Sequence, residues 1–290
     1  MPGTADHSPF TDHVDIDRLR ASLRTRAFGQ VLRYTASTTS TNADALLALQ
    51  QPSAAPIPHG SVFLTDCQTA GRGRRGRAWH SPPQGNIYVS VVVLPAPGVT
   101  RVGPWLSWVP LFAALATADA LAAATGLPIA VKWPNDLLID TKKIGGILCE
   151  QTTRPDKTIA IVIGIGLNIN APLDGFPEEL QAVTTTLAAA GGRLVDRVTL
   201  LAELLLRLEQ RLDRLLTDGP TGMIDEFTQR CSTLGKTVRV SLEQGRIVEG
   251  LAESIGPDGC LRLRVISDNA QPPTSSLLEV RSAEVVHLRG

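Results

Sequence analysis

Cysteine is scarce. The four in 290 residues, Cys67, Cys149, Cys231 and Cys260, are far apart, with no C-x-x-C pair and no histidine at zinc-ligand spacing, so they read as buried free thiols. The five histidines form no cluster either, which leaves a protein-built metal site without support. Net charge is also missing: Lys+Arg and Asp+Glu both total 28, which removes any general attraction to nucleic acid or anionic membrane. Long apolar runs are absent. Val89 to Pro97 stops too early to span a bilayer, and Leu111 to Ala124 is Ala-rich and broken by Asp119, so no membrane span is expected. The first residues carry Asp6, Asp12, Asp15 and Asp17 and no apolar leader, which makes the cytoplasm the expected compartment. What remains is 43% hydrophobic, enough for one substantial core and a small second domain.

Residues 1–28 are polar, with one short helical segment at Ile16 to Leu23, and are expected to form a loosely ordered tail. The body spans 29–233. It begins with a strand (VLRYTAS) and a helix opened by Ser40 or Thr41, then a proline-rich loop over Pro52 to Pro58. SVFLTDCQT and NIYVSVVVLP read as strands on either side of AGRGRRGRAWHSPPQG, which lacks apolar periodicity and is a long interstrand loop. Trp105 to Gly126 reads as a buried helix. Three strand-like segments with short polar links, IAVKWPNDLLID, KKIGGILCEQT and TIAIVIGIGLNIN, predict antiparallel hairpins. A leucine stripe from Leu201 to Leu215 predicts a helix ended by Gly219 and Pro220. Over 234–290 the pattern changes to short strands, TVRVSL, RIVEGLAESI, CLRLRVI and EVVHLR, which predicts a small β-barrel sharing its neighbour's core.

Positive charge is concentrated in one place. No acidic residue lies between Asp66 and Asp119, an interval that holds Arg72, Arg74, Arg75, Arg77 and Arg101. Gly71, Gly73 and Gly76 let backbone N–H groups approach a ligand, and guanidinium forks suit phosphate and carboxylate oxygens. The competing reading is a solvated loop. Gly71-x-Gly73-x-x-Gly76 has the spacing of a dinucleotide fingerprint, but it leads into a strand and lacks the later acidic residue. Neither a kinase motif set nor a phosphate-loop G-K-[ST] occurs.

Lys132 and Lys143 stand eleven residues apart on successive strand-like segments, so a hairpin can bring both to one site; solvated strand lysines are the plainer alternative. Gly145-Gly146 points to close backbone approach by a ligand. GIGLNIN sets Asn168 and Asn170 in an apolar strand, where amides need partners unless the segment is simply a turn. Ser40, Thr41 and Asn42 read first as a helix cap and second as a seat for polar ligand groups.

Five segments in order, S-T-N at 40–42, Q-T-A-G-R-G-R-R-G-R-A-W at 68–79, K-W-P-N-D at 132–136, K-x-G-G-I-L at 143–148 and G-x-G-L-N-I at 164–169, resemble the biotin protein ligases over residues 30–290. The resemblance implies an α+β fold: a class II tRNA-synthetase-like mixed sheet with helices, then a small SH3-like β-barrel. It implies ATP and biotin as substrates, with Mg²⁺ accompanying the nucleotide, and formation of biotinyl-5′-AMP followed by transfer to a lysine of a biotin carboxyl carrier domain. By position it assigns Ser40, Thr41, Asn42 and Gln68 to the biotin ring, and Arg72, Gly73 and Arg74 to a loop over biotin and the adenylate. Lys143 falls at the carboxylate and phosphoryl group and ranks first among catalytic residues, with Arg74 beside it. Lys132 and Asp136 fall at the nucleotide end, the Asp136 carboxylate suited to a Mg²⁺-bound water or to the attacking amine; Trp79 falls near adenine, Asn168 at the nucleotide, and Asn135 and Gly146 are counted among the binding residues. Fewer than thirty residues precede the first matching strand, so the type expected is monofunctional, without a DNA-binding domain. A lipoate-type ligase is the alternative, and a nucleic-acid-binding module a more distant one.

Overall fold

The computed structural model of the chain describes residues 13–51, 56–83, 85–95, 104–270, 277–281 and 283–288. Arg101 and part of the proline-rich loop lie outside them. Seven strands form one sheet in the order β1-β2-β3-β7-β6-β5-β4. They are β1 Leu32–Thr38, β2 Val62–Gln68, β3 Ile87–Val93, β4 Ala130–Lys132, β5 Asp136–Ile139, β6 Lys142–Thr153 and β7 Ile159–Leu167. The polar links after β5 and β6 make tight antiparallel connections, as their shortness requires, and the first strand-like segment folds back at Trp133 to Asn135 so that β4 and β5 are a third antiparallel pair. β1 and β2 run parallel, joined by a crossover through helix α2, Thr41–Gln50.

The sheet is covered unequally, and the uncovered part becomes the site. Every residue of β3 is buried, because the strand has protein on both faces. On one face lies the main core: Val89, Val91, Ile161, Ile163 and Ile165 pack with α3, Val109–Thr125, and α6, Arg197–Asp218. On the other, α2 covers one end through Ala45, Leu49, Phe63, Val92 and Val162. Leu106–Thr125 is long and apolar enough to cross a membrane, longer than the apolar run read from the sequence. Eleven of the seventeen residues of α3 are buried within the protein, so its apolarity is used in the core.

The expected loose tail is corrected over its second half. Residues 16–22 form α1, Ile16–Ser22, capped by the Asp15 carboxylate, and Val14, Leu19 and Phe28 are buried. The helix falls where the short helical segment was expected; what the sequence does not display is its docking, which tertiary contact supplies. Arg18, Arg24 and Arg26 pair with Asp196, Glu203 and Asp213 along α6. The Glu209 carboxylate accepts hydrogen bonds from the backbone N–H groups of Arg26, Ala27 and Phe28 at 2.8, 2.7 and 3.1 Å.

Three further helices complete the body: α4 Glu178–Gln181 and α5 Leu187–Gly191 before α6, and α7 Thr221–Arg230 after it. The C-terminal strands are β8 Thr237–Ser241, β9 Ile247–Ile255, β10 Leu261–Asp268, β11 Leu277–Val280 and β12 Glu284–His287. They form a five-stranded antiparallel sheet ordered β11-β10-β9-β8-β12. Val238, Val240, Leu261 and Leu263 belong to the same core as the body. The indole N–H groups of Trp108 and Trp133 donate to the carbonyls of Pro257 and Gly259 at 2.8 and 3.0 Å, fixing the junction.

Candidate active site

The strand register decides which residues face the uncovered part of the sheet. Lys132 pairs with Asp136, Asp136 with Gly146, and Gly146 with Gly166, one row across β4, β5, β6 and β7. Two residues along, Leu148, Gly164 and Ser90 make a second row on the same face. Simple alternation would set Lys143 on the opposite face from Gly146. A bulge corrects this: the pairing jumps from Leu137 with Gly145 to Leu138 with Lys143, leaving Ile144 extra and buried in the core. The backbone of Lys143 is then held by Val183 and Thr185, and its side chain reaches the Asp136 carboxylate at 2.6 Å.

Over these rows lies a cavity of about 910 Å³. All fourteen residues singled out from the sequence line it: Ser40, Thr41, Asn42, Gln68, Arg72, Gly73, Arg74, Trp79, Lys132, Asn135, Asp136, Lys143, Gly146 and Asn168. Its two ends differ in chemistry. The end at α2 is neutral and buried. Ser40 occupies the cap position, yet its hydroxyl makes no capping hydrogen bond. The backbone N–H of Thr41 donates to Gln68 Oε1 at 3.0 Å, and Gln68 Nε2 donates to Ser81 Oγ at 3.0 Å. Asn42 Nδ2 donates to the Leu148 carbonyl and to Glu150 Oε2 at 3.2 and 2.7 Å, while Ser90 Oγ donates to Asn42 Oδ1 at 2.6 Å.

The other end is cationic, with Lys143, Lys132 and Arg74 together. Burial, and after it the neighbouring Lys143, outweigh Asp136 and hold the Lys132 ammonium below its usual pKa. Burial, then the positive charge of Arg75, lower that of Arg74. His287 of β12 is pushed down to about 4 by burial and then by Lys132 and Lys236, so it is neutral near pH 7. Crowded, partly desolvated cations of this kind mark a place built for an anion.

Between the ends the glycines act by subtraction. A Cβ on Gly166 would stand 2.6 Å from Trp79 Nε1, and one on Gly164 would stand 2.2 Å from Asn42 Oδ1. Gly145 faces Leu167 and Leu137 instead, so of the glycine pair only Gly146 serves the cavity. The Trp79 ring rests on this floor with Lys143 Nζ 5.1 Å from its centroid, within cation–π range. Two buried polar atoms beside the cavity, Trp79 Nε1 and Asn168 Oδ1, lack a hydrogen-bond partner among the described residues.

The arginine loop is largely exposed to solvent, yet each of its arginines has a partner. Arg72 pairs with Glu150, Arg74 donates to Asn135 Oδ1 and the Ala283 carbonyl, Arg75 donates to the Ser241 carbonyl and Arg77 pairs with Glu284. The sequence reading missed the cavity wall from Ala283 to Leu288, and it missed Ser90 and Glu150, which lie behind the lining and hold Asn42. A polar Ser90 inside an otherwise apolar strand was the one signal available.

Residues 34–168 match the biotin/lipoate A/B protein ligase family. Fold and cavity together thus define a ligase of the class that handles biotin or lipoate. The chain is 35% identical to the biotin acetyl-CoA-carboxylase ligase of Mycobacterium tuberculosis over 95% of its own length and 99% of that protein's. It is 34% identical to the bifunctional ligase/repressor BirA of Bacillus spizizenii over 84% of its length and 73% of that protein's. The biotin protein ligase of Aquifex aeolicus, solved in complex with biotin and ATP, superposes with a TM-score of 0.73 at 26% identity, covering 90% of this chain and all of that one. The chain belongs to the biotin protein ligases.

Proposed function

We infer that this cavity is where the chain, an ATP-dependent biotin protein ligase, joins biotin and ATP into biotinyl-5′-AMP and then acylates a lysine of a biotin carboxyl carrier domain. The observation that carries the reading is the division of one cavity into a neutral end of hydroxyls and amides and a cationic end, joined across a glycine floor. Biotin has the same division: an uncharged cyclic urea that needs fixed hydrogen-bond partners, and a carboxylate at the end of an aliphatic chain.

In the first step a biotin carboxylate oxygen forms a bond to the α-phosphorus of ATP as the bond to pyrophosphate breaks. In the second, the acceptor ε-amine forms a bond to the activated carbonyl carbon, AMP leaves with the electron pair and the amine loses its proton. Negative charge develops beside Lys143 in both steps, and its ammonium is aimed in advance by Asp136. Arg72, Gly73, Arg74 and Arg77 line the cavity, and in this reading they keep water from the anhydride. Among the described residues no group of three His, Cys, Asp or Glu is placed to hold a metal, and Asp136 is engaged with Lys143. Mg²⁺ is therefore assigned to the nucleotide, where it neutralises phosphate charge, and no protein cage for it is proposed. A cytoplasmic setting, with ATP and carrier proteins at hand, belongs to the same proposal.

Biotin-dependent exchange of labelled pyrophosphate into ATP tests this, with lipoate and octanoate in parallel. Exchange with biotin alone is expected; exchange with lipoate alone would replace the substrate, and none with any acid would refute the reading.

A further inference from the structure

Glu150 belongs to none of the five sequence motifs, does not line the cavity, and yet touches two residues that do. It lies on β6, its side chain 25% exposed, and its Oε2 accepts from both Asn42 Nδ2, at 2.7 Å, and Arg72 NH2, at 3.0 Å. An ion pair this exposed adds little to stability, so its value lies in orientation.

A carboxamide has a donor end and an acceptor end of nearly equal shape, and its partners decide which way it points. Asn42 is 3% exposed. Its Nδ2 meets two groups that can only accept, the Leu148 carbonyl and the Glu150 carboxylate, and these take both of its protons. Its Oδ1 accepts from Ser90 and lies over the bare Cα of Gly164, in the cavity wall. One lone pair on Oδ1 is the capacity left. Flipping the amide would set an oxygen against an ionised carboxylate, which is strongly unfavourable in a buried place.

We propose that Glu150 is a positioning residue that fixes the polarity of Asn42, so that the neutral end of the cavity presents an acceptor and selects acids carrying an N–H donor, such as a cyclic urea. Arg72 holds the carboxylate in register, so the cover loop and the selecting amide are tied to one oxygen atom. The inference rests on the biotin reading above and adds to it the residue that sets donor against acceptor.

Glu150→Gln is the test, because glutamine keeps the shape but offers an N–H as well as an oxygen, and both orientations of Asn42 become available. Pyrophosphate exchange with Glu150→Gln should show the KM for biotin raised at least tenfold with kcat lowered less than threefold. In an Asn42→Ala background the same substitution should change KM less than twofold, since no amide is left to orient. An unchanged KM in the single variant, or an equal increase in both backgrounds, overturns the proposal. Absence of biotin-dependent exchange in the unaltered protein would instead overturn the ligase reading itself.

Discussion

Gly164→Ala is the smallest change that should empty the neutral end of the cavity. A Cβ there would stand 2.2 Å from Asn42 Oδ1, 2.8 Å from its Cγ and 2.9 Å from its Nδ2, all inside contact distance. The side chain is short, buried and held by Ser90, Leu148 and Glu150, so the clash cannot be relieved by a rotamer change that keeps those bonds. Leaving one buried polar partner unsatisfied costs about 1–3 kcal/mol. Displacing Asn42 by the ångström needed removes the ligand contact as well, so a loss of about 2–3 kcal/mol in biotin binding is expected, roughly 30- to 150-fold in KM. Gly222→Ala is the control: it lies in α7 with nothing nearer than Arg214 NH2 at 3.7 Å. Alanine there should raise stability slightly, by up to about 1 kcal/mol from helix propensity, and leave KM alone. Titration calorimetry with biotin, alongside pyrophosphate exchange, reads both. A biotin affinity in Gly164→Ala within threefold of the unaltered protein would refute the placement of Asn42 at the ligand.

Lys143→Ala should lower the adenylation rate by about 10²- to 10³-fold, the usual loss when a preorganised charge is removed, and a loss below tenfold in single-turnover assays would move the catalytic centre elsewhere. Glu209→Ala leaves three backbone N–H groups without their acceptor, so unfolding should become easier by about 3 kcal/mol with the biotin KM unchanged, as calorimetry would check. Because the native pKa of His287 lies near 4 and the unfolded one near 6.5, the unfolded chain takes up the extra proton between them, so stability must fall as pH drops from 7 towards 4. Urea titrations should show a shallower fall in His287→Gln; an identical slope would remove His287 from the account.

Much of this was legible because the strands that build the site are long, apolar and bounded by turns. The antiparallel run from β5 to β7 and the buried α3 follow from period and link length, whereas the first segment, expected as one broken strand, folds back at Trp133 to Asn135 into the pair β4 and β5. Motif positions could be named, but not their spacing across the sheet: that Ser90 stands beside Gly164 and Gly164 beside Leu148 is a fact of register, which a single chain does not display. Glu150 was hidden for the same reason. The bulge at Ile144 defeats alternation, so a reader counting by twos would turn Lys143 towards the core. α7 buries only Met223 and Phe227, too few for a helical stripe, and β11 is four residues long; α1 falls on a segment read as helical, but its single buried residue, Leu19, gave no sign that it would dock. These elements are held by contacts distant in sequence.

Trp79 comes from the same short hairpin as the cover. The Trp79 backbone N–H donates to the Gly71 carbonyl at 2.8 Å and that of Gly73 to the Arg77 carbonyl at 2.7 Å, so Arg72 to Arg77 and the indole move as one piece. Chamber and shutter are therefore a single mechanical part. On the proposed reading, a smaller side chain at position 79 would alter together the cavity floor and the hairpin that carries the arginines. On the same reading, breadth of substrate and shielding of the activated acid are set by one stretch of nine residues, 71–79, and cannot be changed separately.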